Sequence, residues 1–172
     1  DRFFHWERTA PDKVYLRQPT GPGNYRDYTW REVGQQVRQM ASALQALGLK
    51  PGDKIAIAAR NSAHWVMADQ AITAGGFVSV GIYPKQATDA VQHVLSHSEA
   101  RAIFVGPILG LDGIMAGVPD DMLTIGFPYE GAPETTHQWD DLIARHEPLE
   151  GTPSPAPEDL WTLVYTLSLI HI

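Results

Sequence analysis

Cysteine is absent from the 172 residues, which excludes disulfides and thiolate metal sites. Clustered basic residues are missing as well. Thirteen Lys and Arg stand against twenty Asp and Glu, for a formal net charge of -7, whereas a nucleic-acid groove needs grouped Lys and Arg to neutralise phosphates. No apolar run approaches the roughly 20 residues that span a bilayer. No secretory h-region opens the chain, and with the lack of cysteine this favours the cytoplasm. There are no internal repeats. The first residue is Asp1 rather than Met, so the sequence is expected to be a piece of something longer. What remains is ordinary globular material, 44% hydrophobic, enough to bury a core.

The chain is organised around Lys54 to Pro84. A short apolar run (Ile55-Ala56-Ile57-Ala58-Ala59) is followed by a polar break at Arg60-Asn61-Ser62, an amphipathic segment, Gly75-Gly76, and a second apolar run from Phe77 to Val80. Two such runs about a dozen helical residues apart read as strand, helix, strand, the crossover unit of a parallel α/β sheet. Neither run alternates, as fits strands buried on both faces. Ligands of such sheets bind beyond the carboxyl ends of the strands, where the polar break falls.

Before this unit, Phe3, Phe4 and Trp6 precede a turn at Ala10-Pro11-Asp12. Val14-Tyr15-Leu16 and Tyr25 to Tyr28 then read as a hairpin over 13–28, turned by Gly21-Pro22-Gly23-Asn24 with a loop longer than two residues. Thr29-Trp30-Arg31-Glu32 forms a capping box. The helix after it carries Val33, Val37, Met40, Ala41, Leu44 and Leu47 at helical spacing and stops at Gly48. Beyond the crossover unit, a helix is expected from about Thr88 to Ser98, a strand at Ala102 to Val105, a short helix within Gly106 to Asp121, a strand at Met122 to Ile125, and a helix from Trp139 to His146 with Leu142 and Ile143 inward. The α/β layer thus covers 29–147. Pro148 to Pro157 reads as an extended linker, and 160–166 as a final strand.

Tyr28-Thr29-Trp30-Arg31-Glu32, Leu47-Gly48-Leu49-Lys50-Pro51-Gly52-Asp53, Asn61 with Trp65 and Asp69, and Gly81-Ile82-Tyr83-Pro84 together resemble the N-terminal part of AMP-forming acyl-CoA synthetases, in particular the long-chain fatty acid group. The resemblance runs to Thr166. It implies that residues 1–166 are part of the large N-terminal AMP-binding domain of an adenylate-forming enzyme. The intact parent would activate a fatty acid with ATP and Mg²⁺ to an acyl-adenylate and pass the acyl group to coenzyme A. Other carboxylate-activating ligases of the superfamily remain alternatives, as does a self-standing non-catalytic α/β module. A cytoplasmic protein with room for peripheral membrane contact is implied.

After a run like Leu163-Val164-Tyr165-Thr166 the family continues Ser-Gly-Thr-Thr-Gly and then Pro-Lys-Gly, a loop whose backbone N–H groups and hydroxyls approach phosphates. Here Leu167-Ser168-Leu169-Ile170-His171-Ile172 stands instead, without glycine or lysine. One reading frame of the transposon end used in tagmentation libraries encodes the same six residues, so 167–172 are expected to be foreign to the gene. Thr166 matches the first hydroxyl of the loop and is the one cofactor-binding candidate. No catalytic or metal residue is assigned, and the chain alone is expected to be inactive.

Other constellations have plainer readings. His93 and His97 share one helix face at i and i+4 but lack a second ligand motif, which favours a solvated face. Gly75-Gly76 follows a helix, so it is a stop rather than a dinucleotide turn. Asn61 or Ser62 is expected to cap the next helix, and although Asn61 and Trp65 could face a ligand, the favoured reading is a cap and a core anchor. Asp120-Asp121 and Asp140-Asp141 read as turn and helix-start charges.

Overall fold

The computed structural model describes residues 2–151, 156 and 158–165. Thr166, the expected foreign segment 167–172, and part of the expected linker (152–155 and 157) lie outside the described residues. The elements are α1 (Arg2–Thr9), β1 (Val14–Gly21), β2 (Asn24–Thr29), α2 (Trp30–Ala46), β3 (Lys54–Ala58), α3 (Ala63–Ala74), β4 (Val78–Gly81), α4 (Thr88–Ser98), β5 (Ala100–Val105), α5 (Leu111–Met115), β6 (Leu123–Gly126), β7 (His137–Gln138), α6 (Trp139–Arg145) and β8 (Thr162–Leu163).

Strands β3 to β8 form one six-stranded parallel sheet in the order β7-β6-β5-β3-β4-β8. Because helices cover both faces, successive residues of each inner strand enter different cores. Ile55, Ile57, Ala102 and Phe104 pack with α2, α3 and α6. Ala56, Ala58, Ile103 and Val105 pack with α4 and α5 on the opposite face. This is why the strand sequences show no alternation.

The capping box forms as the sequence implies. The Glu32 amide donates to Thr29 Oγ1 at 3.2 Å, and the Thr29 amide donates to the Glu32 carboxylate at 2.7 Å. Val33, Val37, Met40, Ala41 and Leu44 are all fully buried. Both α2 and α3 end where glycine accepts a left-handed backbone, at Gly48 and Gly76.

Three local expectations need correction. The hairpin loop is two residues, not longer: Gly21 pairs with Asn24, Pro22 supplies the fixed φ, and Gly23 at φ +74° supplies the left-handed second position. Phe3, Phe4 and Trp6 lie on a helix, α1, which is too short to announce itself by periodicity and is held by tertiary contacts. Phe4 is buried, and Glu7 forms a two-pronged ion pair with Arg38 of α2. This closeness needs Gly34, since a Cβ there would overlap the Glu7 carboxylate. Toward the other end, Leu142 and Ile143 face the core as expected, and Trp139, at the start of α6, is fully buried and donates to Gln36 at 3.1 Å. Finally, β8 is two residues long rather than seven.

Candidate functional site

From β3 the chain crosses to β4 on one side, then returns over β3 to β5 and continues outward to β6 and β7. Loops leaving β3 and β5 therefore diverge to opposite faces, and the crevice between them is where open α/β sheets receive ligands. Two clefts meet there, sharing the wall Ala59-Arg60-Asn61. One, of about 550 Å³, lies between α3 and the ends of β4 and β8. The other, of about 730 Å³, lies between the hairpin and the loops after β5 and β6. A third of about 760 Å³ opens at the amino ends of β5 and β6, beside the end of α2. It is the largest, but it lies at the opposite end of the sheet from the loops that the topology splays apart.

In the 550 Å³ cleft, Trp65 and Asp69 project from α3 one turn apart, and Ser79 comes from β4. Burial pushes the Asp69 carboxyl above its ordinary range, partly offset by a hydrogen bond donated by Ser79. Ile82, Tyr83 and Val164 give the cleft apolar walls. The arrangement is a largely apolar slot with the Asp69 carboxyl on its side and Arg60 on its wall. Among the described residues, no three of His, Cys, Asp and Glu gather into a metal-ligand group.

The second cleft borders a buried histidine. His64, the second residue of α3, is 2% exposed and ringed by Tyr28, Phe127, Tyr129 and Trp139. Its Nδ1 is 2.7 Å from the Tyr129 hydroxyl, which donates to Gln18 Oε1 at 3.2 Å, and Gln18 also accepts from the Ala63 amide at 2.8 Å. This chain ties the hairpin to α3 and to the loop after β6. Burial, with a smaller contribution from the Arg26 charge, lowers the His64 pKa to about 4. The ring is therefore neutral at pH 7.

Thr166 is not among the described residues, but Val164, two positions before it, lines the 550 Å³ cleft. Of the two cap candidates, Asn61 is not the cap of α3. Ser62 is, accepting from the Trp65 amide at 3.1 Å, because its short hydroxyl reaches the third residue of the helix. Trp65 is half-buried, packing against the core while also lining the cleft together with Asn61. His93 and His97 are exposed on α4. Sequence reasoning missed His64 altogether. Its signal was present: position 64 continues the helical stripe of Ala68, Ala71 and Ile72, so it had to face inward.

The sequence profile described as AMP-binding enzyme matches residues 3–166. A long chain acyl-CoA synthetase from Arabidopsis thaliana, named as peroxisomal, is 29% identical over 96% of this chain and 26% of its own length. Fatty acyl-CoA synthetase A from Dictyostelium discoideum is 29% identical over 88% of this chain and 25% of its own. Among solved structures, a benzoate CoA ligase from Burkholderia xenovorans superposes with a TM-score of 0.77 at 21% identity, covering 94% of this chain and 31% of that one. The chain thus spans about a quarter of the curated relatives it matches.

Proposed function

The chain belongs to the AMP-binding enzyme family, and on that premise we propose that it is the amino-terminal part of a long-chain fatty acid–CoA ligase. The full enzyme would join a fatty acid to AMP with loss of pyrophosphate, then transfer the acyl group to coenzyme A. The observation that carries the reading is the placement of Trp65, Asp69 and Gly81 to Pro84. These residues, which bear part of the family likeness, lie together at the carboxyl-end crevice of the sheet. ATP, Mg²⁺ and coenzyme A belong to the full enzyme. Among the described residues no three of His, Cys, Asp and Glu gather, and no step through Mg²⁺ is assigned to this chain.

The role of this chain is that of a scaffold. Val164, which lines the cleft beside its sheet, lies two residues before Thr166, the candidate for the first hydroxyl of the nucleotide loop. A cytoplasmic enzyme in contact with membrane surfaces suits a substrate of this class. The test uses the full-length enzyme: fatty-acid-dependent exchange of pyrophosphate into ATP, followed by thioester formation with coenzyme A across saturated acids of increasing length and benzoate. A preference for long-chain acids supports the reading. Exchange with benzoate but not with fatty acids would assign the protein to the aryl acid ligases, and no exchange with any acid would favour a non-catalytic module.

A further inference from the structure

On the sheet face opposite α3, α4 presents His93 and His97 one turn apart, both exposed. Their ring centroids are 5.4 Å apart, with planes inclined by 30°. Two imidazoles bound to one tetrahedral ion through nitrogens at about 2.1 Å bring their centroids to roughly 5 Å, so the pair is spaced for a shared ion. Sequence alone favoured a plain solvated face because nothing else supported the pair. The structure adds a partner 68 positions away: His97 Nδ1 lies 2.8 Å from the Tyr165 hydroxyl, ring edge to ring face at 89°.

That contact changes what His97 can do. A hydrogen bond at Nδ1 fixes the ring orientation and leaves Nε2 as the ligating nitrogen, the arrangement that outer partners impose on metal-bound histidines. We propose that His93 and His97 form a surface chelate for a divalent transition ion of the imidazole-preferring class, Zn²⁺, Ni²⁺ or Cu²⁺, with Tyr165 as its positioning residue. Among the described residues no third His, Asp or Glu gathers with them. Water fills the remaining coordination positions. Mg²⁺ and Ca²⁺ prefer oxygen ligands and do not compete.

The site joins two parts of the fold. Metal on Nε2 makes the Nδ1 proton a stronger donor, so occupancy tightens the bond to Tyr165 and holds the end of β8 against α4. Tyr165 directly precedes Thr166, so the ion acts on the approach to the proposed nucleotide loop without touching nucleotide.

The experiment titrates the whole 172-residue chain, free of any affinity tag, with Zn²⁺ and Cu²⁺ by calorimetry, and follows amide hydrogen exchange in the same samples. One saturable site per chain is expected, tighter for Cu²⁺ than for Zn²⁺. His93→Ala or His97→Ala should weaken it by about tenfold or more, while His5→Ala should leave it unchanged. Tyr165→Phe should weaken binding several-fold and abolish the protection that metal gives to the amides of Thr162 and Leu163, with far-UV circular dichroism unchanged. Saturable binding that survives both histidine substitutions overturns the site, as does failure to saturate. Protection that persists in Tyr165→Phe overturns the coupling.

Discussion

Acid should loosen this fold through His64, and the size of the effect follows from its surroundings. In the unfolded chain the imidazole takes up a proton at about pH 6.5. In the folded chain it resists until about pH 4, because a charged ring would be stranded 2% exposed among four aromatic rings, with Arg26 adding repulsion. Between those values the unfolded state binds more protons. The stability contributed by the neutral ring is therefore complete above pH 6.5 and is lost as pH falls toward about 4. The difference amounts to about 3 kcal/mol, a large fraction of the 5–15 kcal/mol typical of a folded domain. Urea unfolding from about pH 7.5 to about pH 4.5, with His64→Gln measured alongside, reads it directly. Glutamine retains a polar partner for Tyr129 but does not titrate. The wild-type curve should fall toward the variant's on acidification, and their separation should change by about 3 kcal/mol over the window. Titration of other groups, Asp69 included, is common to both chains and cancels. Parallel curves would refute the reasoning.

Thr29→Ala removes the side-chain half of the capping box and should cost about 1 kcal/mol in urea midpoint analysis, with little change in slope. Asp69→Asn keeps a group for Ser79 to bond while relieving a buried charge. Since burial raises the folded pKa of Asp69, the variant should be more stable than wild type at pH 7, with the gain disappearing as pH falls and the wild-type carboxyl protonates. Gly34→Ala should push Glu7 off Arg38 and release α1, seen as rapid hydrogen exchange through residues 2–9 while α2 stays protected. Purified residues 1–172 should show no fatty-acid-dependent pyrophosphate exchange, since their sequence lacks the glycine- and lysine-bearing loop. Exchange that persists after removal of host ligases would contradict this.

The capped helix α2 and the crossover from β3 to β4 were legible because local chemistry and hydrophobic spacing agree there: Thr29 and Glu32 satisfy each other, and Ile55 to Ala59 is buried on both sides. Helix α1 and strand β7 were not, because their eight and two residues carry no period of their own and exist only against α2 and β6. The site divides the same way. Topology located the crevice, but which side chains face it depended on helix phase. His64 was overlooked because attention fell on Trp65, the next residue and about 100° round the helix, which packs at the core's edge rather than within it. The role of Tyr165 beside His97 joins positions 68 residues apart and has no local signature.

The outermost pairing of the sheet sets a clock on synthesis. Strand β4 receives β8 in register from Ser79 to Thr162, so residues 82–161 must all be made before that edge can be closed. At about 5–20 residues per second, a nascent chain leaves β4 uncovered for roughly 4–16 s, during which neighbouring ribosomes on one message hold identical open edges close together. The brevity of β4 is suited to that interval: four residues, ending at Gly81 and followed closely by Pro84, offer too few backbone groups for a stranger to grip.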